Sequence, residues 1–169
     1  MNATNTTAGG YVSSAMYTTV LPVVLSNLRA AFGSSHIIKR RALLSNAING
    51  NSASGWAWYD SYVELMSEPE IYGHPVAGNT ANDMWSNGYN LGTDYTQLAL
   101  FQLNPALVTT RTWYWLRAVY LSTSFCDVDG YGSAGSIAAS GVYGVRPRFQ
   151  IALPVPPRWV FLIIAQRGE

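Results

Sequence analysis

WYWLRAVYLSTSFCDVDGYGSAGSIAASGVYGVRPRFQI, residues 113–151, decides how the whole chain reads. Trp113, Trp115 and Leu116 open the stretch as an aromatic, β-prone run, and Val145, Phe149 and Ile151 close it with period-two alternation, so both ends read as strands. Between Ala118 and Gly144 the composition changes. Tyr, Ser, Gly, Ala, Asp, Val and Phe dominate there, while Lys, Arg, Glu, Gln, Met, Trp, Asn, His and Pro are all absent.

Tyr, Ser and Gly mixed with Asp is the mixture that paratope loops use, because Tyr supplies broad amphipathic contact at low entropy cost while Ser and Gly adapt around it. The composition fits two descriptions: a recognition surface framed by strands, or an ordinary polar, Gly-rich set of hairpins. On the first description the ligand-facing set is Tyr120, Ser122, Ser124, Asp127, Asp129, Tyr131, Ser133, Ser136 and Tyr143, and Val119, Phe125 and Val128 are the positions that could instead be buried.

WYWLR at 113–117 and YGVRP at 143–147, together with TNTTAGG at 4–10, SSAM at 13–16 and ELMSEPEIYG at 64–73, resemble the DUF6273 group of C-type-lectin-like domains. Members occur in gut bacteria and their phages, and many are variable proteins of diversity-generating retroelements, as the major tropism determinant is in another branch of the fold. The resemblance spans roughly residues 2–152. It implies an α+β, C-type-lectin-like fold with small antiparallel sheets, one or two packed helices and long irregular loops. It also implies a ligand-binding domain over 1–152, followed by a tail at 153–169. Trp113, Trp115, Arg117 and Arg146 then serve as framework, the two arginines pairing with carboxylates or backbone carbonyls. In such retroelements the adenines of AAC codons are randomised, which yields Tyr, Ser, Asp, Gly, Ala, Val, Phe, Cys, Leu or Ile but never Lys, Glu, Gln, Met or Trp. Residues 118–144 obey that exclusion throughout. The implied role is non-enzymatic binding of a protein or glycan ligand on a cell surface, from a virion or a bacterial surface, without a cofactor; a homo-oligomer is compatible with it.

A chain of 169 residues suits one domain and can bury a real core without staples. A net charge of +1 gives no electrostatic footprint for nucleic acid or an anionic membrane. The single Cys126 excludes an internal disulfide framework, and no His lies near it in sequence to make it a catalytic thiol. MNATNTTAGG has neither the basic nor the apolar segment of a secretory signal, and the apolar run Trp159 to Ala165 falls far short of the roughly twenty residues that span a bilayer.

Ser13 or Ser14 can cap a helix carrying Met16, Val20, Val24 and Leu28 on one face and ending near Gly33, with Pro22 kinking or dividing it. Lys39, Arg40 and Arg41 read as a solvated edge, and Trp56 and Trp58 as core anchors on one strand face. Glu64, Glu68 and Glu70 raise a glycosidase alternative. Its carboxylates would have to flank a cleft at about 5–10 Å, and structural hydrogen bonding is the preferred reading. Another alternative is a virion decoration module without a selected ligand. Residues 73–94 read as a long irregular loop. Neither Glu68-Pro69-Glu70 nor Asn82-Asp83-Met84-Trp85 reproduces a calcium-lectin signature, and Asp127-Val128-Asp129-Gly130 is only a fragment of a calcium loop, so no metal is expected. Trp159 to Ile164 is a candidate for a final strand.

Overall fold

The computed structural model describes residues 1–78 and 96–152. The Asn82–Trp85 segment, the greater part of the expected 73–94 loop, and the Trp159–Ile164 strand candidate lie outside the described residues. The described chain is α+β, with small antiparallel sheets and few helices.

A π-helical turn, Met16–Val20, runs directly into α1, Leu21–Phe32. The Ser14 hydroxyl accepts from the Tyr17 N–H and so opens the helix. Pro22 sits in the first turn of α1, just after the wide turn in which Leu21 N–H reaches back five residues to the Met16 carbonyl. That widening makes room for a ring that would otherwise clash with the carbonyl four residues before it. It also shifts the helical phase: Leu21 is buried, whereas Val20, expected on the inner face, is exposed. Gly33, at φ 87°, ends the helix in a backbone conformation that glycine adopts without strain.

Six short strands follow: β1 (Ile37–Ile38), β2 (Arg40–Leu44), β3 (Ala47–Asn49), β4 (Ser52–Ser54), β5 (Ala57–Ser61) and β6 (Val63–Leu65). Helix α2 (Glu68–Tyr72) comes next; α3 (Ala99–Leu103) and a 3-10 turn (Pro105–Val108) precede β7 (Tyr114–Leu121), β8 (Ser124–Val128), β9 (Ala134–Ala138) and β10 (Pro147–Ile151). β2 pairs with β5, β3 with β4, and β10 lies between β1 and β6. β5 turns Ala57, Tyr59 and Ser61 inward, so Trp58 falls on the opposite parity. It is 38% exposed and covered by the Arg41 guanidinium, not a core anchor. Arg40, on the inward parity of β2, is buried and not part of a solvated edge.

The residues between the two framing motifs form a three-stranded meander, β7-β8-β9, not one long loop. Its strands feed two separate cores. Trp115, Val119 and Phe125 pack with Tyr11, Met16, Leu21, Leu44 and Leu65, while Tyr114, Leu116, Cys126 and Val128 pack with Met66, Ile71, Phe101 and Val108. Ser, Gly and Asp interleaved with these apolar residues are why this stretch does not look like core in sequence. Each buried large apolar side chain here contributes roughly 1.5–3 kcal/mol.

The amino-terminal segment braces the meander. Thr7 N–H donates to the Ser122 carbonyl at 2.9 Å and its hydroxyl to the Leu121 carbonyl at 2.8 Å, while Asn2 N–H donates to the Ala139 carbonyl at 2.7 Å. Asn5 accepts from the Ser140 N–H at 3.1 Å. The TNTT residues therefore close the β7–β8 turn and the segment after β9 at one end of the sheet.

Candidate functional site

The expected ligand-facing residues do not share one surface. Ser122, Tyr131, Ser133 and Ser136 are exposed; Tyr120, Ser124, Asp129 and Tyr143 are half-buried; Asp127 is buried, at 1% exposure. The exposed set is also spread along the sheet. Ser122 lies in the turn before β8 and Tyr131 in the turn after it, separated by about 17 Å of strand.

Asp127 corrects the sequence reading. It sits mid-sheet between Trp115 and Gly135, where the missing side chain of Gly135 leaves room for its carboxylate. One carboxylate oxygen, Oδ1, is sealed from solvent without a hydrogen-bond partner. Burial first, and then the nearby Asp129, push its pKa up to about 6. Tyr143 is likewise framework more than surface: its ring stacks on Trp113 at 5.6 Å and meets Trp115 edge-on at 5.2 Å. Of the four framework residues, Trp115 is buried, whereas Trp113 lies just ahead of β7 and is 42% exposed.

Asp129 organises the β8–β9 turn. Its Oδ1 accepts from the N–H groups of Tyr131 at 2.8 Å and Ser133 at 2.9 Å, and its backbone N–H donates to the Ser133 carbonyl. The Tyr72 hydroxyl donates to the Gly132 carbonyl at 2.9 Å, tying the same turn to α2. Gly132, at φ 87°, supplies the left-handed step. The turn is thus fixed from inside, and Tyr131 stands on it 89% exposed. A large aromatic with no packing role on an immobilised backbone is the arrangement that favours contact with a partner, because little ordering entropy remains to be lost.

Beside this turn the segment Val108 to Thr112 forms a depression of about 360 Å³ whose lining includes Leu107, Thr109, Thr110, Thr112 and Arg146. A second, shared with Thr112 and Gly144, is lined by Arg111, Trp113, Val142 and Tyr143. Arg146 Nη1 donates to the Val108 carbonyl and the Tyr114 hydroxyl, both at 3.4 Å, and its guanidinium lies 5.0 Å from the Phe101 ring centre and 5.2 Å from that of Tyr114. The three threonines escaped the sequence reading, although three Thr and an Arg in the five residues from Val108 to Thr112 were the available signal.

Glu64, Glu68 and Glu70 are all buried, and Glu68 lines a cavity of about 40 Å³, room for little more than a water. Arg117 donates to Glu64 at 2.9 Å and to the Leu65 carbonyl at 3.3 Å, and lies 3.5 Å from Glu70. Glu70 also meets Arg40 at 3.6 Å and pairs with Arg148, while its Oε2 accepts from Ser67 N–H to complete a capping box on α2. Burial, with Arg40 adding and Glu64 opposing, draws Arg148 down to about 10, so its guanidinium stays charged at neutral pH. Glu68 accepts from the N–H groups of Val76, Ala77 and Gly78 at 3.2, 2.8 and 2.9 Å and shapes that turn. The three carboxylates hold backbone and arginines and do not flank a common cleft.

Among the described residues no three His, Cys, Asp or Glu side chains converge on a metal position, and no helix is long and apolar enough to cross a membrane. A family model described as "Domain of unknown function (DUF6273)" matches residues 44–153. The chain belongs to the DUF6273 family. In this DUF6273 chain the matched span begins at Leu44, so the TNTTAGG and SSAM segments, on which the resemblance also drew, fall outside it. No curated protein and no solved structure matches the chain.

Proposed function

We propose that this DUF6273 chain is a non-enzymatic ligand-binding domain on a C-type-lectin-like scaffold, whose contact surface lies at the β8–β9 turn and the adjoining Val108–Thr112 segment. The observation that carries the proposal is Tyr131, almost fully exposed on a turn whose backbone is tied down by Asp129 and Tyr72. The setting is receptor binding by a phage particle or display on a bacterial surface, with a protein or glycan on a cell surface as the ligand. Retroelement diversification, if it acts here, is confined to positions that hold nothing up. Ser122, Tyr131, Ser133 and Ser136 are free to change, whereas Phe125 to Val128 are core and are not.

Two experiments test this reading. The DNA beside the gene should hold a reverse transcriptase gene and a near-copy with adenines at the codons for Tyr131, Ser133 and Ser136 but not at those for residues 125–128. Labelled protein should adsorb to some members of a panel of gut bacterial cells, and Tyr131→Ala should weaken that adsorption by about thirtyfold, as expected for an aromatic hot spot. Equal adsorption by both proteins would refute the placement of the surface. Lack of a template copy would leave the decoration-module alternative in place.

A further inference from the structure

The Arg146 depression carries an inference beyond the position of Tyr131. Its guanidinium is half-buried, held flat by Phe101 and Tyr114, and has no carboxylate partner among the described residues. The nearest ionisable group, the Tyr114 phenol, cannot neutralise it: burial pushes that phenol's pKa up, with Arg146 itself opposing, so the phenol is uncharged at neutral pH. This differs from the arginines around Glu64 and Glu70, which share carboxylates.

Only Nη1 makes protein hydrogen bonds, both long. Nε and Nη2 have no partner among the described residues and are not sealed from solvent. Together they form the side-on fork that a carboxylate fills with two parallel hydrogen bonds. Of the threonines around the same depression, Thr109 and Thr110 donate their hydroxyls to the Tyr131 and Thr112 carbonyls, and Thr112 keeps a hydroxyl with no partner among the described residues. Orientation by two aromatic rings fixes the fork before any ligand arrives, so little side-chain entropy remains to be lost on binding.

We infer that the depression under Val108–Thr112 is a subsite for a carboxylate side chain of a protein partner, received by the Nε and Nη2 groups of Arg146. A protein is favoured over an acidic glycan because aliphatic side chains border the guanidinium: Leu107 lines the depression, and Val142, almost fully exposed, lines the second depression that shares Thr112 and Gly144 with it. Those groups match an apolar residue beside the acid better than they match sugar hydroxyls. The inference rests on the proposed binding role, but its test does not depend on Tyr131 or on finding the cell-surface partner.

The test is a titration of the full chain followed by ¹H–¹⁵N NMR, with sodium acetate, a blocked Asp-Leu dipeptide and glucuronic acid, each against sodium chloride at matched ionic strength. Acetate should give saturable shifts confined to the Arg146 Nε–H and the Thr110 and Thr112 amides. The dipeptide should give the same pattern at about tenfold lower concentration, through its added apolar contact. Arg146→Lys, which keeps the charge but loses the fork, should weaken both by about tenfold. Thr112→Val, at an exposed rim position that leaves the fold intact, should weaken them several-fold. Shifts that follow chloride, or that survive both substitutions, would overturn the subsite, and tighter binding of glucuronic acid than of the dipeptide would overturn the assignment to a protein.

Discussion

Arg117 on β7 reaches the Glu64 carboxylate on β6 across 2.9 Å, with both side chains almost wholly removed from water. The contact joins the meander to the sheet built by β10, and Glu70 and Arg148 extend it to α2 and β10. A buried pair that loses one member leaves the other charge uncompensated, at a cost of about 3–5 kcal/mol. Arg117→Met should therefore lower the free energy of unfolding by that amount, read as a lower urea midpoint at unchanged m-value. A loss of under about 1 kcal/mol would mean that the pair holds no more than a surface ion pair does.

Asp127 sets the pH dependence in the opposite sense. Its folded pKa is raised to about 6, so the folded state resists ionisation. Below the unfolded value, near pH 4, the group is protonated in both states and contributes nothing. As pH climbs through 6 the unfolded chain ionises first, and a penalty of about 2–3 kcal/mol develops and then stays constant. Asp127→Asn should raise the thermal midpoint at pH 8 and leave it unchanged at about pH 3. A variant less stable than wild type at pH 8 would show that the carboxylate is needed where it lies.

Asp129 should separate stability from presentation. Asp129→Ala removes the Oδ1 that accepts both the Tyr131 and the Ser133 N–H in the β8–β9 turn, costing about 1 kcal/mol in stability. The larger effect should fall on cell adsorption, because Tyr131 would remain exposed on a backbone no longer fixed. Backbone ¹⁵N order parameters at residues 130–133 should drop while those of β8 hold.

Thr7 is the fourth test. Thr7→Val deletes the hydroxyl that donates to the Leu121 carbonyl, a part-buried hydrogen bond whose loss costs about 1 kcal/mol. Amide exchange at residues 121–124 should quicken before any other part of β7 or β8 does.

The strands at 114–121 and 147–151 were legible because aromatic and alternating residues mark them, and the helix over 16–32 because its apolar spacing and Ser14 do. The phase of that helix was not, since the π-helical turn ahead of Pro22 rotates Val20 outward by an amount that no single-period template carries. The burial of Cys126 and Asp127 was hidden for another reason. Part of the meander's covering core comes from Met66 and Ile71, which lie far from it in sequence and give it no local signature. Asp127 was read as surface on residue type alone. The depression at Arg146 was missed because its parts come from Val108–Thr112 and from Gly144–Arg146, and because each part reads as a loop when taken singly.

The threading of Thr7 against Leu121 and of Asn2 against Ala139 has a consequence for how the protein is made. These are contacts between residues 2–7 and residues synthesised more than a hundred positions later. Residues 2–7 must therefore wait, unpaired, until β8 and β9 have emerged. Co-translational folding can form the first hairpins, yet the meander locks only after residue 139 has emerged, so a stalled nascent chain ending near residue 120 should remain open to protease at residues 2–7.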